Sequence, residues 1–307
     1  MKKNYLITGG TGSFGKAFSK KLIEKKLPKR IIIFSRDEFK QFQMQELDFV
    51  KQNKDIFRFF LGDVRDKARI DYALGEDVNI VVHAAALKQV TATEYNPFEA
   101  VKTNVLGTQN IVESCLEKSN VQKVLCVSTD KAVSPVNLYG STKLTAERLF
   151  IAANNFKGKR KTIFSIARYG NVFGSRGSVI PVFLNQIKNK KPLTVTDKNM
   201  TRFSLTLNEA TEFVLTCLKT MQGGEVFVPK LKSYKITDVV KALGRKDYKV
   251  VGIRPGEKIH EELITSQEQY RTIENKDYFL IKPDFKNVKV QKKINKSSLI
   301  AYPTQII

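Results

Sequence analysis

From Ser128 to Lys143 the chain reads Ser-Thr-Asp-Lys-Ala-Val-Ser-Pro-Val-Asn-Leu-Tyr-Gly-Ser-Thr-Lys, a run that contains a full set of proton-transfer groups. Tyr139 and Lys143 are four residues apart and share one face of a helix. An ammonium so placed lowers the pKa of a neighbouring phenol. That suits removal of a hydroxyl proton from a carbinol while its hydride departs. Asp130 and Lys131, an acid beside an amine, come directly after the apolar run Val124–Val127 and Ser128–Thr129. Such a pair suits elimination, which needs one group giving a proton and one taking a proton at adjacent carbons. On an exposed loop the pair would be an ordinary surface ion pair. Its place at a strand end, nine residues before the tyrosine, favours catalysis.

Groups of this kind need rigid elements to hold them. Short apolar strands at Asn4–Thr8, Ile31–Ser35, Arg58–Gly62, Ile80–Ala85, Lys123–Ser128 and Thr162–Ala167 alternate with helix-length segments. This alternation predicts an α/β fold, a Rossmann-like parallel sheet with helices on both faces. After the first strand comes Thr8-Gly-Gly-Thr-Gly-Ser-Phe-Gly, with Gly9, Gly12 and Gly15 spaced three apart. A dinucleotide pyrophosphate needs a sharp turn, close backbone approach and a helix start at that place. Thr8, Gly9, Thr11, Gly12, Ser13, Phe14 and Gly15 are therefore candidate cofactor contacts. The second strand ends in Ser35-Arg36-Asp37, with Lys40 close behind. An arginine there accommodates a 2′-phosphate, whereas a carboxylate favours a free 2′-hydroxyl. Ser35, Arg36 and Lys40 thus point to NADP rather than NAD, against the adjacent Asp37. Asp63, with Val64, stands where an adenine ring could be held. Ala84, Ala85 and Ala86 give clearance beside a cofactor, and Lys88, past a strand's carboxyl end, is a candidate substrate-binding lysine. His83 reads as a packed strand-end residue, and Asn104 as a residue that orders a helix and its neighbouring loop.

Composition narrows the class. A chain of 307 residues that is 42% hydrophobic can bury a sizeable core. There is no run long enough for a membrane span, and no signal-peptide pattern follows Met-Lys-Lys-Asn. Cys115, Cys126 and Cys217 lie far apart, with neither metal-ligand spacing nor an even count for disulfides. With only His83 and His260 in the chain, no metal site is expected. The expectation is a reduced cytoplasmic protein. The net charge of +23 comes from scattered lysines without interleaved stacking aromatics, so nucleic acid is not the expected partner. Steering of a polyanionic substrate accounts for the charge as well.

The ordered set Thr8–Gly15, Ala84–Ala86, Ser128–Thr129 and Tyr139-x-x-x-Lys143 resembles the extended short-chain dehydrogenase/reductases. Within them the chain is similar to the inverting UDP-N-acetylglucosamine 4,6-dehydratases of pseudaminic acid biosynthesis. The likeness spans about residues 4–280. It rests on Ala85-Ala-Leu-Lys-Gln-Val90, Ser128-Thr-Asp-Lys-Ala132, Asn137-Leu-Tyr-Gly140, Arg168-Tyr-Gly-Asn-Val172, Gly174-Ser-Arg-Gly-Ser-Val179, Met200-Thr-Arg-Phe203 and Ile253-Arg-Pro-Gly-Glu-Lys258. Thr91-Ala-Thr93 replaces a more apolar stretch of close relatives, and the tail after about 285 matches poorly.

The resemblance implies oxidation at C4 of UDP-N-acetylglucosamine, loss of water across C5–C6, and return of hydride to C6. Tyr139 with Lys143 would take the 4-hydroxyl proton, and Thr129 would hydrogen-bond that hydroxyl. Asp130 would protonate the departing 6-hydroxyl. Lys131, kept neutral by Lys143 and partial burial, would be the C5 base. Asn171 and Val179 would contact the sugar, and Arg202 and Arg254 would meet the UDP diphosphate. Glu257 would contact ribose or uracil, Arg176 would lie near an interface or the cofactor, and Gly174–Ile180 would form a loop closing on substrate. Retaining dehydratases place Asp-Glu where this chain has Asp130-Lys131, and 4-epimerases lack the pair. Those two activities are the enzyme alternatives, and an NADP-sensing interaction protein is the alternative without turnover. Residues 1–170 with a returning piece near 204–229 are expected to form the NADP-binding domain. Residues 171–203 and 230–307 are expected to form the substrate domain. Amphipathic segments near 100–118 and 140–156 point to a homo-oligomer built on dimers, and the resemblance allows a hexamer.

Overall fold

A computed structural model describes residues 2–174 and 179–283. Its main sheet is built from β1 (Lys3–Thr8), β2 (Pro28–Ser35), β3 (Phe57–Leu61), β4 (Ile80–His83), β5 (Lys123–Thr129) and β6 (Ile163–Tyr169). Two short strands, β7 (Asn171–Val172) and β8 (Thr194–Val195), lie outside it, as do β9 (Thr201–Leu205), β11 (Ser233–Lys235) and β12 (Lys249–Val250). The chain returns to the main sheet with β10 (Val226–Pro229), β13 (Thr272–Glu274) and β14 (Tyr278–Ile281). The strand order is β13-β14-β10-β6-β5-β4-β1-β2-β3. From β3 through β10 all neighbours pair in parallel, while β14 and β13 add antiparallel edges.

Both faces of this sheet are covered, and the residues show why. Along β1 and β2, Leu6, Ile32 and Phe34 enter one core, whereas Tyr5, Ile7, Ile31 and Ile33 enter the other. Side chains alternate across a strand, so a strand buried on both faces must read as a continuous apolar run. The strand order reverses between β1 and β4, which is where a doubly wound sheet opens a crevice at the carboxyl ends of its strands.

Residues on the far side of that crevice have a smaller core of their own. Phe183, Leu193, Val195, Met200, Ile236 and Val240 pack together between the helices Val179–Lys188 and Ile236–Ala242. Here β9 pairs with β11 and β7, and β12 pairs with β8. The expected strand near 223–229 is present as β10. One domain boundary needs correction. Residues 272–281, expected in the substrate domain, extend the main sheet instead. Phe279 and Ile281 are buried in the main core, which explains their recruitment.

Candidate active site

A cavity of about 870 Å³ runs along the crevice and is lined from both sides. At one end is the turn after β1. Gly9 takes a left-handed backbone (φ 65°), and a Cβ there would stand 3.0 Å from the Ala84 carbonyl oxygen and Ala85 Cα. The turn therefore lies directly against the loop after β4. The helix Ser13–Glu24 begins at Gly12 with neither a side-chain cap nor an acidic residue in its first turn. Its N–H groups are left for an anion. Gly9, Thr11–Gly15, Ser35, Arg36, Lys40, Val64, Ala84–Ala86 and Lys88 all line the cavity.

Two expected cofactor contacts serve otherwise. Thr8 lies fully buried beneath the turn. Its Oγ1 accepts from the Ala84 and Ala85 amides at 3.1 and 3.2 Å and bonds His83 Nδ1 at 2.8 Å. Asp63 turns its carboxylate to Arg65 at 2.7 Å and Arg36 at 3.5 Å, while its neighbours Gly62 and Val64 face the cavity. His83 is the packed residue expected: its other nitrogen meets Thr108, and burial lowers its pKa to about 3. Asn104 holds Leu87 through both its amide and its carbonyl and donates to Thr142 Oγ1, so it orders the loop after β4.

The proton-transfer groups converge at the end of β5. The helix Leu138–Phe156 is capped by Asn137, which accepts from the Gly140 amide at 2.7 Å. A Cβ on Gly140 would stand 2.2 Å from the Lys131 carbonyl oxygen. Glycine thus lets the helix press against the turn Asp130–Ala132. Tyr139 and Lys143 are buried on the same face, and the Lys143 ammonium donates to the Val127 carbonyl at 2.9 Å. Thr129 donates to Asp130 Oδ1 at 2.9 Å and favours the ionised form of the neighbouring Tyr139 phenol. Lys131 Nζ donates to Asp130 Oδ1 at 3.1 Å and Asn171 Oδ1 at 3.3 Å. Thr129, Asp130, Lys131 and Asn171 form one hydrogen-bonded line, and Tyr139 lines the same cavity. All but Asp130 face the cavity, and Asp130 lies wholly buried behind Thr129 and Lys131.

Charge states differ in part from the sequence expectation. Burial pushes the Tyr139 phenol up, with Lys143 and Lys131 pulling it back only in part. Burial also pushes the Asp130 carboxyl up despite Lys131, which favours the protonated acid. Lys131 goes the opposite way from expectation. Burial disfavours its charge, but Asp130 and Glu261 outweigh burial and hold it above the ordinary lysine range. The expectation of a neutral Lys131 is therefore overturned for the free site. The reasons are Asp130, 3.1 Å from the Lys131 ammonium, and Glu261, a carboxylate the sequence does not single out, 3.2 Å from it.

The remaining expected substrate contacts line the same cavity. Val179, Arg202, Arg254 and Glu257 stand opposite the nucleotide turn. Arg202 is buried, donating to the carbonyls of Thr201 at 2.7 Å and Ile259 at 3.1 Å. Arg254 is exposed and pairs with Glu257 at 3.1 Å. Lys88 is held below the ordinary lysine range by burial and by Lys131. Arg176 and most of the Gly174–Ile180 loop lie outside the described residues. A second group was also missed by sequence reading. Arg168 is fully buried and pairs with Glu147 at 2.6 Å and Glu268 at 2.9 Å, while donating to the Leu263 carbonyl. It joins the helix carrying Tyr139 to the segment that follows Glu261.

The chain is similar to several known proteins. A UDP-N-acetylglucosamine 4,6-dehydratase (inverting) from Campylobacter jejuni is 50% identical over 93% of this chain and 84% of its own. A UDP-glucose 4-epimerase from Rickettsia rickettsii is 41% identical over 94% of this chain and 86% of its own. The solved structure of Pen from Bacillus thuringiensis is 41% identical, with a TM-score of 0.88 over 94% of this chain and 92% of that one. DesIV, a dTDP-glucose 4,6-dehydratase from Streptomyces venezuelae, matches in fold with a TM-score of 0.74 at 20% identity, over 83% and 86% of the two chains. Its fold is that of the extended short-chain dehydrogenase/reductases. The polysaccharide biosynthesis protein model matches residues 5–283, and the chain belongs to that family.

Proposed function

We propose that this protein is an NADP-dependent, C5-inverting UDP-N-acetylglucosamine 4,6-dehydratase. Its product is UDP-2-acetamido-2,6-dideoxy-β-L-arabino-hex-4-ulose, made in the cytoplasm by a homo-oligomer on the way to a pseudaminic-type sugar. The observation that carries this reading is the hydrogen-bonded line Thr129–Asp130–Lys131 beside Tyr139, at the cavity that also holds the nucleotide turn. The name of the 50% identical relative supports the substrate and the stereochemistry.

The glycine turn, the uncapped helix start and the alanine loop fit a dinucleotide. Bound there, it would supply the acceptance of a hydride from C4 and its return to C6. Asp37 caps the helix Glu38–Gln45 and pairs with Lys40, which offsets its negative charge beside the cavity. Ser35, Arg36 and Lys40 then supply the donors that suit a 2′-phosphate.

Tyr139 takes the 4-hydroxyl proton, helped by the Lys143 cation, with Thr129 aligning that hydroxyl. The 4-ketone acidifies C5–H, and Lys131, once it has passed its own proton to solvent through the cavity it faces, accepts the C5 proton. Asp130, kept protonated by burial, releases its proton to the 6-hydroxyl. Its contacts with Thr129 and Lys131 supply the way into the cavity. Water leaves, and C5 is reprotonated after C6 is reduced. Arg202 and Arg254 hold the diphosphate.

The Rickettsia relative's name supports a second reading, 4-epimerisation. Incubation with UDP-N-acetylglucosamine decides between the two. A 4-keto-6-deoxy product without net growth of absorbance at 340 nm is expected. UDP-N-acetylgalactosamine as sole product would overturn the dehydratase reading.

A further inference from the structure

Glu261 belongs to the segment that carries Arg254 and Glu257, yet it enters the site from the side opposite β5. It is 2% exposed and lines the cavity. Its Oε1 lies 3.2 Å from Lys131 Nζ, and its Oε2 is buried without a hydrogen-bond partner, 3.7 Å from the Lys258 ammonium. The Lys131 ammonium is thus held between two parts of the chain, the Asp130 carboxyl group and the Glu261 carboxylate.

We propose that Glu261 is a positioning residue for Lys131, holding its ammonium in place and setting the pH at which Lys131 becomes free to accept a proton. A buried carboxylate in direct contact favours the charged lysine and delays its deprotonation. Every group around the pair bears on this balance. Asp130 adds a second carboxylate, itself inclined to the protonated form by burial. Arg202 and Lys88 oppose the Lys131 charge, while Arg202 and Lys258 hold Glu261 ionised. Tyr139 and Tyr234 are the neutral titratable neighbours. Among the described residues, Glu261 alone joins Lys131 to the segment bearing Arg254. The state of the base is thereby tied to the wall that receives the nucleotide.

This inference rests on the reading of Lys131 as the C5 base, and two readouts keep them apart. The first needs no turnover: the protein is labelled with ¹³Cε-lysine, and the Lys131 signal is assigned by its loss in Lys131→Ala. Its titration midpoint should fall by about one to three pH units in Glu261→Gln. Glu261→Asp, which keeps the charge at a longer distance, should show a smaller fall. The second readout is the pH profile of dehydration, whose ascending limb should move to lower pH in Glu261→Gln by a matching amount, with KM for UDP-N-acetylglucosamine changed less than threefold. An unmoved Lys131 titration in both variants overturns the proposal. A shifted titration with an unmoved limb leaves Glu261 controlling the lysine and rejects Lys131 as the base. A uniform loss of rate with the limb unmoved and the titration unmoved means packing alone.

Discussion

Arg168→Met tests whether the buried ion cluster behind the site is structural. In the native protein Arg168 sits between the carboxylates of Glu147 and Glu268 with almost no solvent contact. Methionine fills much of the volume but leaves two buried carboxylates without their cation. Removing one partner of such a cluster typically costs about 3–5 kcal/mol. The Glu268 carboxyl gives an independent check. Burial alone would raise its pKa, but Arg168 overcomes this and lowers it from 4.5 to about 2. At about 1.4 kcal/mol per pH unit, that drop corresponds to roughly 3 kcal/mol. A depressed carboxyl stabilises the fold above its unfolded pKa, and that stability is lost as pH falls through 4.5 toward about 2. Urea unfolding followed by circular dichroism should therefore show the variant about 3–5 kcal/mol less stable at pH 7. The gap between variant and native protein should narrow in acid, where the orphaned carboxyls protonate. Combining Arg168→Met with Glu147→Leu and Glu268→Leu should recover most of the loss. A deficit under about 1 kcal/mol at pH 7, or one independent of pH, would refute the reasoning.

Three other outcomes follow from the same geometry. Arg36→Ala should weaken NADP+ more than NAD+ in calorimetry, and equal affinity of the native protein for both cofactors would reject the 2′-phosphate assignment. Gly140→Ala forces a methyl into the Lys131 carbonyl, 2.2 Å away. A shift near 1 Å at the catalytic turn should lower turnover about a hundredfold, and a near-native rate would mean that the turn yields without harm. Lys131→Ala should slow loss of water by about 10²–10⁴-fold while C4 oxidation, seen as transient absorbance at 340 nm, persists. Intact dehydration in that variant would remove Lys131 from its role.

What the sequence disclosed and what it hid divide along a physical line. The turn Gly9–Gly15 and the pair Tyr139/Lys143 announce themselves because their chemistry depends on local spacing, and the alternating strands fix where they sit. Glu261 gave no such signal. It lies in the charged run Glu257-Lys-Ile-His-Glu-Glu262, and only the folding of a distant segment onto β5 brings it to Lys131. That carboxylate adds to Asp130 in holding Lys131 charged. Thr8 and Asp63 were assigned to a cofactor by position, but their side chains serve the neighbouring backbone and an ion pair. The two edge strands after Thr272 were missed for a similar reason, since an antiparallel addition to a parallel sheet leaves no alternation to read. The Arg168 cluster likewise joins residues up to 100 positions apart.

The most direct test of the central claim is the NMR spectrum of the product formed from UDP-N-acetylglucosamine in deuterated water. An inverting dehydratase delivers solvent deuterium to C5 on the face opposite the lost proton. The expected product is the L-arabino 4-keto-6-deoxy sugar, deuterated at C5. A 4-keto-6-deoxy sugar with retained configuration at C5 would contradict inversion, and a product still bearing its 6-hydroxyl would contradict dehydration itself.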